Sequence, residues 1–255
     1  CRTTDQWDSK QFIKRLVMSA TYRQSSKRIT DYELRDPENK YLSYYPRQKL
    51  TAEMVRDNAL ATSGLLNKTI GGPSVKPHQP EGLWEETTSG QGLTRYTPDT
   101  GSNLYRRSLY TFWKRTAPPP NMKLFDAPDR ETCVVRRERT NTPLAALVLL
   151  NDEQFVEAAR RFGARMWQAA EDHQGRIEHG FALAVGLAPD EEESQLLLEL
   201  FVEEQRRFTK DPAAATALLS VDSSEPTEGI PLADHAAYAI IGSVLLNLDE
   251  TITKG

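Results

Sequence analysis

The chain has only two cysteines, Cys1 and Cys133, which is too few for a disulfide framework. They also lack the short spacing of a cysteine metal site. One bridge between them and two free thiols are both compatible with the sequence. No histidine lies near Cys133 in the sequence to act as a base, so we expect this residue to be small and buried, not a nucleophile.

Other motifs that carry chemistry are also missing. No run of about eighteen apolar residues is present, so we expect no membrane-spanning helix. There is no phosphate-binding loop, dinucleotide glycine pattern or Gly-x-Ser-x-Gly elbow. The four histidines lack the i, i+4 spacing of a helical metal site, and no Cys-x-x-Cys-His motif attaches haem to this chain. We expect His78 to be a solvated loop residue, with a haem ligand or proton shuttle as the alternative.

The chain begins with neither Met nor a secretory signal of basic and then apolar residues. We therefore expect either that a leader was removed or that the chain is part of a longer protein. A lipoprotein that begins with processed Cys1 is a further alternative. We disfavour it, because the first helical pattern starts so early that little tether remains.

The 255 residues carry a net charge of −4, which is unevenly distributed. Residues 105–140 contain nine Lys or Arg and four Asp or Glu, a local charge of +5. Residues 171–204 contain ten Asp or Glu and one Arg, a local charge of −9. Such segregation can attract a charged partner, although we favour the simpler interpretation that both segments face water or each other. The acidic balance argues against a nucleic-acid partner.

The spacing of apolar residues predicts a mainly α, irregular helical domain with little β structure. A first helix over residues 9–20 has an apolar stripe formed by Phe12, Ile13, Leu16 and Val17. A second helix covers residues 51–62 and stops at Gly64, which suits the left-handed conformation that follows many helices. From residue 142 onward the chain is helical. The last helix, over residues 231–248, is apolar on most sides and therefore central.

The helix that follows Thr142 carries clear start signals. Thr142 is a capping residue, and Pro143 takes the first helical position, where its missing N–H costs nothing. Its predicted buried face consists of Leu144, Leu147, Val148 and Leu150.

The middle of the chain is irregular. Residues 71–101 form a Pro/Gly-rich loop in which regular structure cannot persist. Such a loop is functional, a lid, or an excursion packed on its own aromatic residues, for which Trp84 and Tyr96 are available. Residues 105–113 alternate as a strand or extended segment does. We expect one compact unit with two parts, a mixed, loop-rich part over residues 1–141 and a helical bundle over residues 142–255.

Arginine and aromatic residues are concentrated between residues 105 and 141. The guanidinium fork fits carboxylate, sulfate or phosphate, and aromatic rings offer flat faces to sugars. The candidate anion- or glycan-binding residues are Arg106, Arg107, Trp113, Asp126, Asp129, Arg130, Glu131, Arg136, Arg137, Arg139 and Asn141. The acids among them can instead pair with the arginines in an internal network, which is the interpretation that we favour.

Catalysis is a third interpretation of the same segment. Asp126 and Asp129 are spaced closely enough to act as paired carboxylates in general acid–base chemistry. Asp-Ala-Pro-Asp is also typical of a turn whose side chains bond to their own backbone, and we expect this turn.

Several segments together resemble one known family. They are SATYRQSS at 19–26, GGPS at 71–74, YRRSLYTFWKRTAPPP at 105–120, FDAPDRETC at 125–133, RRERTNTP at 136–143, LLND at 149–152, FVEAAR at 155–160 and LLNLDE at 245–250. This combination resembles the planctomycete-specific domain of unknown function at the C-terminal end of large surface proteins, and it covers nearly the whole chain. Ala145 departs from the pattern, in which Gln is expected, and this puts one polar contact in doubt.

The resemblance implies an extracytoplasmic protein and no established catalytic residues. Proteins of this type often carry an N-terminal cytochrome-c-like domain, so any haem c would belong to another domain and not to this chain. We therefore expect an interaction module of a larger surface protein that binds an anionic polysaccharide or a partner domain. The alternative is a hydrolytic or redox enzyme with its site in residues 106–141, covered by the 71–101 loop and supplied with haem by another domain.

Overall fold

The computed structural model describes residues 7–86, 95–221, 227 and 229–254. Its contacts divide the chain into two compact units, residues 1–49 with 253–255 and residues 50–252. The described residues form thirteen α-helices and two strands of two residues each, which confirms the mainly α prediction with little β structure. The expected parts over residues 1–141 and 142–255 stay a prediction.

The smaller unit contains short elements only. They are α1 (Ser9–Val17), α2 (Ala20–Arg23), α3 (Thr30–Arg35), β1 (Gln48–Lys49) and β2 (Thr253–Lys254). The strands pair antiparallel, with Gln48 opposite Lys254. The Lys254 Nζ atom lies 4.4 Å from the ring centroid of Tyr22 and 5.6 Å from that of Tyr45. These cation–π contacts hold β2 against the two tyrosines.

The apolar stripe of α1 is present, but it is not buried as predicted. Asp8 caps the helix with its side chain. Phe12, Ile13, Leu16 and Val17 are all exposed. No residue of α1, α2 or α3 is buried, because a unit with so little chain cannot enclose a core.

The larger unit is built from helices. Its described residues form α4 (Ala52–Ser63), α5 (Leu83–Glu86), α6 (Pro120–Leu124), α7 (Pro143–Asn151), α8 (Glu153–Trp167), α9 (His173–Val185), α10 (Glu191–Lys210), α11 (Pro212–Leu219), α12 (Leu232–Asn247) and α13 (Asp249–Ile252). Two short 3₁₀ helices, Gly101–Tyr105 and Ser108–Tyr110, lie between α5 and α6. Thr142 caps α7 as predicted, Thr51 caps α4, and Gly64 ends α4 in the left-handed conformation.

The core of this unit lies between α8 and α12. Phe162, Ile241 and Leu245 are completely buried there. Gly163 on α8 and Gly242 on α12 each face backbone atoms of the other helix, so the two helices approach closely. The prediction that the last helix is central is confirmed.

The buried face of α7 differs from the predicted one. Leu144, Leu147 and Leu150 are exposed by 56%, 52% and 42%, whereas Ala145 and Leu149 are buried. Because α7 is apolar around most of its circumference, the spacing of its leucines does not select one face. The small Ala145 side chain lets the helix approach the core, and the departure from Gln at this position falls on the buried face.

Residues 105–113 were predicted as a strand or an extended segment, and they form no regular strand. The segment makes isolated pairings: the Asn67 N–H donates to the Tyr105 carbonyl oxygen at 2.9 Å. The Val75 N–H donates to Tyr110 O at 2.8 Å, and the Phe112 N–H donates to Val75 O at 2.7 Å. The 3₁₀ helix Ser108–Tyr110 separates the contact at residue 105 from those at residues 110 and 112.

The described parts of the 71–101 loop pack on aromatic side chains. The Trp84 ring is fully buried, 5.0 Å from the Tyr96 ring and 5.8 Å from the Phe112 ring between centroids. Lys114 Nζ lies 4.6 Å from the Trp84 centroid. These contacts support the interpretation of the loop as an excursion packed on its own aromatics. Residues 87–94 of this loop lie outside the described residues.

Candidate functional site

Side chains of α4 form hydrogen bonds with the backbone groups of residues 104–108 that a β-strand would have used for pairing. Arg56 donates through Nη2 to Leu104 O at 2.6 Å and through Nη1 to Arg106 O at 2.9 Å. The Ser108 N–H donates to Asp57 Oδ1 at 2.7 Å. Because these bonds satisfy the main chain from one side, the segment turns and does not join a sheet.

Arg56 is buried and links this segment to α8. Its Nε donates to Gln154 Oε1 at 2.7 Å, and Gln154 Nε2 in turn donates to the main-chain oxygen of His78 at 3.0 Å. Burial lowers the pKa of Arg56 to about 10, so the guanidinium remains charged at neutral pH. One buried cation therefore holds α4, α8 and residues 104–108 together and positions the loop at His78.

Arg106, the first of the predicted site residues, is 4% exposed. Its Nη1 donates to Pro73 O at 2.8 Å, and its Nη2 donates to Gly71 O. The guanidinium carbon lies 3.9 Å from the Tyr110 ring centroid. Gly71 and Gly72 have φ of +82° and +86°, a left-handed conformation that glycine adopts readily. Arg106 thus fixes the Gly71-Gly72-Pro73 turn from inside the protein.

Trp113, Asp129 and Arg130 come together on the surface. The Trp113 Nε1–H donates to the main-chain oxygen of Asp129 at 3.2 Å. The guanidinium carbon of Arg130 lies 4.4 Å from the Trp113 ring centroid, and Asp129 forms an ion pair with Lys123 at 2.6 Å. Arg130 has a φ of +62°, so the backbone turns sharply at the point where its side chain stacks on the ring.

Asp126 bonds to Thr140 and so holds the two ends of residues 130–139 near each other. Its Oδ2 accepts the Thr140 N–H at 2.6 Å, and its Oδ1 accepts the Thr140 hydroxyl at 2.8 Å. Asp126 also has a positive φ, +61°. Both carboxylate oxygens therefore bond to residue 140, which supports a turn-forming role for this acid.

The remaining candidates lie on the surface, at residue 107 and at residues 131–141. Those with exposed side chains are Arg107, Glu131, Arg136, Arg137, Arg139 and Asn141. Arg137 forms an ion pair with Glu53 at 2.7 Å, and bonding to Arg137 lowers the pKa of that carboxyl against the opposing effect of burial. Among the described residues, Arg136 has neither an ion pair nor a hydrogen bond. The structure thus separates the buried Arg106 from a cluster at Trp113 and from an exposed arginine segment, defined here as residues 130–139, while Arg107, Asp126 and Asn141 belong to none of these groups.

Cys133 lies in the exposed arginine segment, which corrects the expectation of a buried residue. Its thiol is free. The chain there has left α6 and returns to the surface before α7, so no element covers it. The alternative bridge to Cys1 involves a residue outside the described part of the chain.

The histidines of the larger unit have separate environments. His173 Nδ1 lies 2.8 Å from the Tyr238 hydroxyl, with its ring 4.5 Å from the Phe201 centroid. His235 is buried, and burial together with the nearby Arg160 charge lowers its pKa. In the part of the chain that the structure describes, no group of three or more His, Cys, Asp or Glu side chains is placed to hold a metal ion.

A cleft that the sequence did not indicate lies between α6, α7 and the loop at residues 78–80. Its volume is about 340 Å³. Leu124, Leu144 and Leu147 form much of its wall, and Asn121 and Asp152 are among its polar lining residues. The only sequence signal was the Asn-Asp pair that precedes α8, where Asp152 caps the helix. Asp126, Asp129, Arg130 and Arg136 do not line this cleft.

The fold and these contacts define a mainly α domain of irregular topology. A family model described as PSD1, protein of unknown function (DUF1553), matches residues 3–201. The match covers well over half of the chain, which therefore belongs to this family. No curated protein and no solved structure matches the chain. Within the described residues, every helix is too short or too polar to span a bilayer.

Proposed function

We propose that the chain is a non-catalytic binding module of a larger extracytoplasmic surface protein and that its exposed arginine segment binds an anionic polysaccharide. The observation that carries the proposal is the exposure of every residue from 130 to 139, with Arg136 unpaired among the described residues. A guanidinium in water without a carboxylate partner keeps its donors available for a sulfate or uronate group.

The surroundings of the segment favour an anionic ligand. The stretch from residue 105 to 140 carries nine basic and four acidic residues, a local charge of +5. Arg130 stacks with the face of its guanidinium on Trp113, an arrangement that leaves the N–H edge of the group for hydrogen bonds. Arg106 does not contribute to this surface, because its donors are directed to main-chain oxygens of the 71–73 turn.

The enzyme alternative has less support from the same segment. An acid–base pair needs carboxylates that are available to substrate in one pocket. Asp126 uses both oxygens for Thr140, and Asp129 is paired with Lys123. Neither lines the cleft beside α6 and α7. A hydrolytic or redox enzyme with haem from another domain is therefore our second choice.

Two parts of the proposal rest on the resemblance noted in the sequence and on no contact in the structure. These are the extracytoplasmic location and the cytochrome-c-like domain elsewhere in the full protein, which would hold any haem c. Other domains or chains of the same surface protein would then be the neighbours of this module.

The proposal is tested by calorimetric titration with dextran sulfate, polygalacturonate and neutral dextran. We expect the two polyanions to bind with an affinity that falls as salt is raised, and neutral dextran not to bind. One exposed charged contact is worth up to about 1 kcal/mol, so Arg136→Ala should weaken binding by about twofold to fivefold. Arg130→Ala with Arg136→Ala should weaken it by about tenfold.

A matched control removes an exposed arginine that lies outside the exposed arginine segment. Arg206 is exposed on α10, and Arg206→Ala should leave the affinity for dextran sulfate unchanged. The proposal fails if the double variant binds dextran sulfate as tightly as the unmodified chain. It fails also if neither polyanion binds at low salt.

A further inference from the structure

The cleft between α6 and α7 has a size and lining that the arginine segment does not explain. Its volume of about 340 Å³ lies near the lower end of the range of small-molecule sites in proteins. Leu144 and Leu147 are more than half exposed and face this cavity together with Leu124 and Pro120. Apolar side chains that remain exposed around a concave surface favour a ligand with an apolar body.

The lining of the cleft also includes polar side chains, among them Asn121 and Asp152. The Asn121 side chain is oriented by the Met122 N–H, which donates to its Oδ1 at 2.8 Å. Its Nδ2 donates to Asp152 Oδ2 at a long 3.4 Å, while Asp152 Oδ1 accepts the Gln154 N–H at 3.1 Å. Asp152 Oδ2 thus has one long hydrogen bond and retains capacity for another donor.

One further polar side chain lines the cleft. Asn151 donates through Nδ2 to Leu147 O at 2.8 Å, so its Oδ1 keeps its capacity to accept a hydrogen bond. The lining therefore includes the carboxylate of Asp152 and the side-chain amides of Asn121 and Asn151.

The buried guanidinium of Arg56 does not saturate Asp152. Burial raises the pKa of Asp152, and this effect outweighs the hydrogen bonds from Gln154 and Asn121 and the charge of Arg56, which lower it. The hydrogen bonds of Arg56 reach Gln154 and the oxygens of residues 104, 106 and 108. Asp152 is thus a carboxyl group with few partners, and a bound cation would supply a further one.

We propose that this cleft binds small amphiphilic amines, with the apolar body of the ligand against Leu124, Leu144 and Leu147 and its ammonium group on Asp152. An ammonium carries three donors and no acceptor, which complements the Asp152 carboxylate oxygen that has one long hydrogen bond. Its charge also complements the carboxylate in a partly buried place, where the interaction is stronger than in water. The site is separate from the arginine segment and selects the opposite charge.

The test is calorimetric titration of the whole chain with three ligands of equal length, n-hexylammonium, 1-hexanol and hexanoate. We expect n-hexylammonium to bind saturably and at least about tenfold more tightly than 1-hexanol, and hexanoate more weakly than either. Asp152→Asn should reduce binding of n-hexylammonium by about tenfold and leave 1-hexanol nearly unchanged, because asparagine keeps the helix cap.

Two more variants separate the two ends of the ligand. Leu147→Ser, at an exposed position, should weaken n-hexylammonium and 1-hexanol alike. Glu203→Gln, an exposed acid on α10, should change neither. Equal affinity for the three ligands, full affinity in Asp152→Asn, or no saturation with n-hexylammonium at millimolar concentration would each overturn the proposal. None of these results bears on dextran sulfate binding, so the two proposals succeed or fail separately.

Discussion

Gly242 of α12 lies directly against the carbonyl oxygen of Ala159 in α8, so that a β-carbon at residue 242 would be 2.6 Å from that oxygen. The neighbour is helical backbone, which cannot rotate away as a side chain can. We expect Gly242→Ala to force the helices apart and to lower the free energy of unfolding by about 2–3 kcal/mol, although alanine favours a helix by about 1 kcal/mol. Urea denaturation measures the loss.

Gly180 on α9 provides the control for this prediction. A β-carbon there meets the Sδ and Cγ atoms of Met166, an unbranched side chain that can adopt another rotamer. Gly180→Ala should therefore cost no more than about 1 kcal/mol. If the two variants lose equal stability, contact with backbone is not what sets the cost at Gly242.

Replacement of Arg56 should loosen residues 104–108. Lysine keeps the charge of Arg56, but one ammonium group cannot reach Gln154 and the oxygens of residues 104 and 106 at the same time. We expect Arg56→Lys to lower the free energy of unfolding by about 3 kcal/mol, since a buried charge loses partners. Hydrogen exchange of residues 104–110 should accelerate in the same variant.

Arg107, an exposed arginine within residues 104–108, is the comparison for Arg56. Arg107→Lys should change stability by no more than about 0.5 kcal/mol, as is usual for exposed positions. If Arg56→Lys lowers the free energy of unfolding by as little as Arg107→Lys, the hydrogen bonds to residues 104–108 contribute little to the stability of the fold.

Elements bounded by local signals were predictable from the sequence. Thr51 and Thr142 begin helices because their side chains bond to backbone within the next turn, and such contacts are visible in sequence. The buried face of α7 was not predictable, because its leucines surround the helix and tertiary packing decides which of them is covered. Residues 105–113 alternate like a strand, but side chains about fifty positions away take their backbone groups.

The sequence predicted which residue types form the candidate site, but it did not predict how they are arranged in space. Arg106 and Arg136 look alike in the sequence, yet one bonds to the oxygens of the 71–73 turn and the other is exposed. The difference depends on which distant carbonyl groups the fold brings within reach. The cleft was missed for the same reason, since Asn121 and Asp152 meet across 31 positions and neither belongs to a chemical motif.

Buried His235 should make stability depend on pH near neutrality. Its pKa is lowered from 6.5, first by burial and then by Arg160, so the folded chain binds this proton more weakly than the unfolded chain does. As the pH falls below about 6.5, the unfolded chain takes up the proton first, and the free energy of unfolding decreases by at most about 1.4 kcal/mol per pH unit. Above this pH the contribution is fully present.

Urea denaturation between pH 7.5 and pH 5, at intervals of about half a unit, measures this dependence. His235→Gln lacks the titrating group and should show a smaller slope over the same interval. A slope equal to that of the unmodified chain would assign the pH dependence to other groups.

The exposed thiol of Cys133 should react in the folded protein. In a Cys1→Ser variant, a disulfide reagent such as dithionitrobenzoate should titrate Cys133 as fully without denaturant as with it, because no element covers the sulfur. Protection that persists until urea is added would instead indicate a buried thiol. The unmodified chain distinguishes the two states of the cysteine pair: two thiols titrate if both are free, and none titrates before reduction if Cys1 and Cys133 are bridged.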